Sequence, residues 1–168
     1  MIGKIVQLSY VTASFEAASA HWARAFGVGP FFVMDRPHRR LEQLIYRGAP
    51  CEAEFSVALS YWGDLQIEFI LQHNDAPSPY LGAEDKGLHH IAALADDIDA
   101  AVAQGVAAGA EVILSGTIGG RTRFAYLDFG RPSGVVELMP ANPARQETEA
   151  YMQACVRDWN GRELLRSL

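Results

Sequence analysis

Residues 88–109 read LHHIAALADDIDAAVAQGVAAG, and residues 4–27 read KIVQLSYVTASFEAASAHWARAFG. Laid over each other, Gln7 falls on His90, Phe15 on Ile98 and Ala17-Ala18 on Ala100-Ala101, each 83 positions later. The glycines that close both stretches, Gly27 and Gly109, are offset by one position less. Further on, LQIEFIL (65–71) parallels GVVELMP (134–140), which sets Glu68 on Glu137. Repetition of this kind marks a duplicated structural unit. Gln7, Glu68, His90 and Glu137 each sit at the polar centre of an apolar segment, where an unpaired polar group is expensive to bury. Three oxygen donors and one imidazole, brought together in one cavity, suit a divalent metal ion.

Each half reads as strand, helix, further strands and a closing hairpin. In the first, 5–11 is a strand, and Ser14 caps a helix with an apolar face of Phe15, Ala18, Trp22 and Phe26. The run Gly27-Val28-Gly29-Pro30 stops that helix. Segments 54–62 and 65–72 form a hairpin around Gly63-Asp64. In the second half 90–95 is a strand, Asp97 caps a helix, Gly109 ends it, and 123–128 with 134–140 makes the last hairpin. Residues 74–86 read as a polar connector. Beyond Pro143 the pattern predicts a helix running to Trp159, with Tyr151, Met152, Cys155 and Trp159 on one face.

Strand alternation decides which side chains share a face. Gln7 travels with Ser9 and Val11, Glu68 with Gln66 and Ile70, His90 with Ala92, and Glu137 with Val135 and Met139. The opposite faces, such as Val6, Leu8 and Tyr10 or Ile67, Phe69 and Leu71, are apolar and should carry the helices. All four polar residues therefore point away from the helix layer, into a concave surface where the halves curl together. Phe55 and Tyr61 fall on the Glu68 face and are expected to line that surface; Tyr126 is a further candidate.

With 168 residues, 49% apolar content and 10% aromatic residues, the chain can build a substantial core. A net charge of -6 argues against a sequence-independent grip on nucleic acid. The two cysteines, Cys51 and Cys155, form no CxxC pair or disulfide framework. The start MIGKIVQLSYV has no signal-peptide apolar run, and no apolar stretch nears ~18 residues. A cytoplasmic protein without membrane partners is the expectation.

The strings GLHHIAALADDIDAAVA and GVVELMP resemble the vicinal oxygen chelate superfamily, which includes glyoxalases, bleomycin resistance proteins and dioxygenases, and most of all its methylmalonyl-CoA epimerase-like branch. The resemblance spans about residues 5–140. It implies an α+β fold of paired βαβββ modules, about 4–73 and 87–141, forming a concave curled sheet within a domain of residues 1–143. Residues 144–168 would be an added C-terminal helical tail. It implies metal ligands at Gln7, Glu68, His90 and Glu137. Of these, Glu137 or Glu68 is expected to move the proton as the catalytic group, and the shared strand faces make Ser9, Phe55, Tyr61 and Tyr126 the expected substrate contacts. The ion would be Zn, Ni, Co, Mn or Fe. Epimerases usually carry histidine where Gln7 stands, whereas some zinc-dependent glyoxalases have Gln, Glu, His, Glu. The arginine that glyoxalases place four residues after the first ligand is Val11 here, and Glu54 has the wrong parity for the epimerases' second base.

The expected activity is a metal-dependent isomerase or epimerase that abstracts a proton next to a carbonyl, on a small molecule such as an acyl-CoA. The alternatives are a glyoxalase-type lyase and a non-catalytic small-molecule binder. A homodimer is the expected assembly. Arg36, His38, Arg39, Arg40 and Arg47 form a basic run that either guides an anionic substrate or is a solvated loop. His89 should face away from His90, and His73 should sit at the surface or the cavity rim.

Overall fold

A computed structural model describes residues 2–141 and 143–168. Strand β1 (Ile5–Val11) leads to helix α1 (Phe15–Phe26). The Ser14 side chain accepts a bond from the Ala17 N–H, and Gly27 closes the helix at φ 68°, a left-handed conformation that suits glycine. Then come β2 (Phe31–Met34), a 3-10 turn (Pro37–Arg40), β3 (Gln43–Tyr46), β4 (Ala49–Pro50), β5 (Phe55–Trp62) and β6 (Leu65–Gln72). The second half holds β7 (Leu88–Ala95), α2 (Ile98–Ala107), β8 (Glu111–Ile118), β9 (Arg121–Asp128) and β10 (Val135–Pro140). Asp97 caps α2 by accepting the Ala100 N–H at 2.9 Å. Helix α3 (Pro143–Arg157) and the short β11 (Leu165–Ser167) complete the chain.

Among the described residues the strands join one curled sheet in the order β11-β2-β5-β6-β1-β7-β10-β9-β8-β3-β4. The two halves appear in it as β2-β5-β6-β1 and its reverse, β7-β10-β9-β8. This is the α+β arrangement of paired βαβββ modules that the family resemblance implied. Strand β1 runs parallel to β6 with Ser9 opposite Glu68, and β7 runs parallel to β10 with Ala92 opposite Glu137. At the junction β1 and β7 are antiparallel, with Gln7 opposite Ala92 and Ser9 opposite His90. The 83-residue offset seen in sequence is thus an approximate two-fold relation in space.

Helices α1 and α2 cover the outer face. Phe15 packs with Ile67 and Phe69, flanked by Leu8, Tyr10 and Trp22, while Ile98 and Ala101 pack with Leu127 and Leu138. The inner face forms a separate cluster that includes Val57, Leu59, Tyr61, Ile70, Tyr80, Tyr126 and Met152. Residues 35–42 cross this concave side from β2 to β3, which pairs with β8 of the other half. A strap from the first module therefore ties together both ends of the sheet.

The tail departs from the sequence reading. Helix α3 ends at Arg157, short of Trp159, and the face read from sequence is unevenly buried. Met152 is 1% exposed in the concave core, whereas Tyr151 is 59% exposed. Met152 packs on that core with Cys155 and Val156, while Tyr151 stands at the solvent edge of the same face, against Phe32. Trp159 instead lies over Gly29, where a Cβ would stand 2.7 Å from the indole ring. The basic run is also mostly paired: Arg36 with Asp35 and Glu54, Arg39 with Glu54, and Arg47 with Glu111. No helix among the described residues is long and apolar enough to cross a membrane.

Docking of α3 has a measurable consequence. Met152→Ala should lower unfolding stability by about 2–5 kcal/mol in chemical denaturation, since it empties a filled core site. Tyr151→Ala, losing one edge contact with Phe32, should cost about 1 kcal/mol or less.

Candidate metal centre

Glu68, Gln7, His90 and Glu137 lie on β6, β1, β7 and β10, the four adjacent strands at the middle of the sheet. All four are buried on its concave side. Ligand atoms of Glu68, His90 and Glu137 fall within 4.8 Å of one another. His90 Nε2 is 3.2 Å from Glu137 Oε2 and 3.8 Å from Glu68 Oε2. Gln7 contributes differently. Its amide nitrogen donates to Gln66 Oε1 at 2.8 Å, and Gln66 in turn donates to the Tyr61 hydroxyl at 2.8 Å. That chain fixes the amide and leaves Gln7 Oε1 buried without a hydrogen-bond partner among the described residues. Buried acceptors are rarely left unmatched, and an orphaned one at such a cluster fits an ion's coordination shell. Two carboxylates, one imidazole and an amide oxygen form a donor set suited to a hard or borderline divalent cation.

Several neighbours hold these groups. Ser9 Oγ donates to Glu68 Oε2 at 2.7 Å, as their opposite register allows. The Tyr126 ring packs on the His90 imidazole with centroids 4.5 Å apart. His89, expected to face the other way, lies with its Nδ1 2.8 Å from His90 Nδ1 and its Nε2 2.9 Å from the Pro79 carbonyl oxygen. The pairing of β1 with β7 shifts register between Ser9 and Tyr10, which breaks the strict alternation of side chains at this point.

The carboxylates open on a cavity of about 240 Å³, walled by Phe55, Val57, Ile70, Tyr80, Phe124 and Tyr126 and roofed by Pro37, His38 and Leu41 of the strap. Of the four side chains expected to touch substrate, Phe55 and Tyr126 are in this wall. Ser9 and Tyr61 are not; both lie behind the cluster, bonded to Glu68 and to Gln66. Tyr80 was not visible in the sequence as a site residue, because it belongs to a connector with no periodic pattern. It is 2% exposed, and its hydroxyl is 3.0 Å from that of Tyr126. Glu54 is drawn outward to Arg36 and Arg39, away from the carboxylate cluster. His73 bonds Ser56 at 2.7 Å.

Burial dominates the protonation of the cluster. It raises Glu137 to about 8, against a lowering by Arg145, and raises Glu68 to about 7, aided by Glu137 and opposed by His90 and Ser9. It also lowers His90 to about 4, although the nearby Glu68 charge acts to raise it, and lowers His89 to about 4. The contacts of His90 with the two carboxyls are therefore those of a neutral imidazole. A protonated Glu137 can donate to His90 Nε2 in the metal-free protein.

This protonation predicts how the site responds to pH. A cation must displace the carboxyl protons, so its affinity should rise from about pH 6 to pH 9, with proton release near pH 6 detectable by calorimetry in two buffers. Both carboxyl values in the fold exceed the ordinary 4.5. Their contribution to metal-free stability is therefore full below about 4.5 and is lost as pH climbs through 7 to 8. Metal-free protein should melt lower at about pH 9 than at pH 6, and Glu137→Gln should flatten that slope. An unchanged slope in the variant would contradict the assignment.

Comparison with known proteins identifies the fold around this cluster. A family model described as "Glyoxalase/Bleomycin resistance protein/Dioxygenase superfamily" matches residues 6–126. No curated protein sequence matches the chain. Among solved structures, methylmalonyl-CoA epimerase from Mycobacterium tuberculosis is similar with a TM-score of 0.59 at 11% identity, over 87% of this chain and 93% of that one. A Streptomyces coelicolor methylmalonyl-CoA epimerase variant in complex with 2-nitronate-propionyl-CoA gives a TM-score of 0.55 at 15% identity, over 85% and 100% of the two chains. A hypothetical protein from Bacillus halodurans gives 0.61 at 14% identity, over 83% and 95%. At these identities the likeness is one of fold, and with the family match it shows that the chain belongs to the glyoxalase/bleomycin resistance protein/dioxygenase superfamily.

Proposed function

We propose that the chain is a metal-dependent isomerase or epimerase that moves a proton at a carbon next to a carbonyl. The observation that carries this reading is the buried Glu68–His90–Glu137 cluster, joined by the unpartnered Gln7 Oε1 and opening on an apolar cavity. Gln7 Oε1, both carboxylates and His90 Nε2 would hold the divalent cation. When bound, the ion would supply positive charge opposite the negative charge that develops on the substrate's oxygens.

The remaining roles belong to the chain's own groups. Glu137 is the proton carrier of choice: it lines the cavity, and burial sets its carboxyl at about 8, near the range where a general base and its acid form are both accessible. Glu68 is more firmly held, its Oε2 taken by Ser9. Phe55, Tyr80, Phe124 and Tyr126 exclude water from the reacting carbon. An acyl-CoA thioester is the first substrate class to try, since the Streptomyces neighbour was solved with such a ligand. The cavity would take the acyl group, leaving the longer carrier outside the strap.

The test is deuterium uptake at the α-carbon of racemic methylmalonyl-CoA in heavy water, by protein loaded in turn with zinc, cobalt, nickel, manganese or iron. Uptake should vanish on chelation and return with metal. Glu137→Gln should slow it by about 10²–10⁴-fold, with metal content measured in parallel to separate a lost base from a lost ligand. Exchange that persists after complete chelation would remove the reading. Turnover of a hemithioacetal without such exchange would favour the glyoxalase-type alternative, to which the amide at Gln7 lends support.

A further inference from the structure

Strand β7 carries adjacent histidines, and the mechanism above uses only one of them. In a regular strand His89 would point to the helix layer, opposite to His90. The shifted register, in which Ser9 pairs with His90 and Tyr10 with Leu88, leaves His89 without a partner on β1. An irregularity of this kind re-aims a side chain. Here it brings the two imidazoles together, with Nδ1 of one 2.8 Å from Nδ1 of the other.

The direction of that bond follows from its far end. The Pro79 carbonyl oxygen, 2.9 Å from His89 Nε2, can only accept, so His89 carries its hydrogen on Nε2. A neutral imidazole with that hydrogen has a bare Nδ1, which accepts. The hydrogen between the rings therefore belongs to His90 Nδ1. His90 Nε2 is left with a lone pair, and it is this atom that faces Glu68 and Glu137, at 3.8 and 3.2 Å. The opposite tautomer would place an N–H there, bonded to a carboxylate and competing with any cation.

We propose that His89 is a positioning residue that, anchored by the Pro79 carbonyl, locks His90 in the tautomer whose Nε2 is free to bind metal. The metal part of this rests on the reading of the site given above; the tautomer part does not. The connector between the modules thereby acts on the metal centre: Pro79 fixes His89, and the adjoining Tyr80 ring lies 5.7 Å from the His89 ring. Groups that orient a ligand histidine through its second nitrogen commonly alter metal affinity by about 10–100-fold.

The experiment uses histidine labelled with 15N and two-bond correlation spectra of the metal-free full chain near neutral pH. His90 should show a protonated Nδ1 and a bare Nε2, and His89 the reverse. His89→Phe, which fills the space but offers no acceptor, should move His90 toward the Nε2–H tautomer and weaken zinc binding by about 10–100-fold in chelator competition. His89→Gln, whose amide can accept from His90 and donate to Pro79, should recover most of that affinity. A wild-type spectrum with Nε2–H on His90, unchanged affinity in His89→Phe, or no recovery in His89→Gln would each overturn the proposal. The wild-type spectrum decides even if His89→Phe fails to fold. The predicted tautomers in a wild-type chain that binds no zinc, cobalt, nickel, manganese or iron would keep the positioning and instead refute the metal reading.

Discussion

Everything in the concave half of this molecule depends on how β1 meets β7. Each module alone offers one neutral donor and one carboxyl, too few to hold an ion. The antiparallel junction sets Ser9 opposite His90 and Gln7 opposite Ala92, and the flanking parallel strands bring Glu68 and Glu137 to the same level. Backbone hydrogen bonds, rather than side-chain packing, therefore fix the relative height of the four donors. A slip of one residue along this seam would put the donors of one module on the opposite face of the sheet from those of the other.

That seam concentrates polar groups where water is scarce. Burial disfavours the charged forms of both carboxyls and of His90, so without a cation the carboxyls hold their protons far above the ordinary range instead of forming ion pairs with His90. Around them, Ser9, Gln66, Tyr61 and His89 satisfy or aim the remaining atoms. The polar cluster and its supports form a small island in an apolar cup. The aromatic wall on one side and α3 on the other limit its contact with solvent.

The duplication was readable because its marks survive in the chain: capping residues, terminal glycines and one acidic residue in each closing strand. Alternation then assigned faces correctly for Leu8, Tyr10, Ile67 and Phe69, which pack under the helix layer. It failed at His89, since a local register shift cannot be inferred from residue types that are equally at home on either face. It failed also for the strap and for Tyr80, whose positions depend on contacts across the cup and leave no periodic trace. On α3 the apolar face was legible but its depth was not: Met152 is enclosed, Tyr151 stands at the exposed edge, and Trp159 falls beyond the helix end. Ser9 and Tyr61 were assigned the right face, but a face does not say which residues stand in front and which behind.

The last strand has a consequence beyond the site. Residues 165–167 lie along β2, whose sequence FFVM would otherwise form an apolar border with unpaired amides and carbonyls. Exposed borders of that kind recruit strands from other chains. With β11 in place, the sheet ends instead in three residues that include Arg166, and at its other end in the two residues of β4, one of them Pro50. Proline has no amide hydrogen to offer to a further strand. The tail thus serves as a selvage: it gives the long sheet a short, charged border in place of an apolar one, a poorer template for lateral addition.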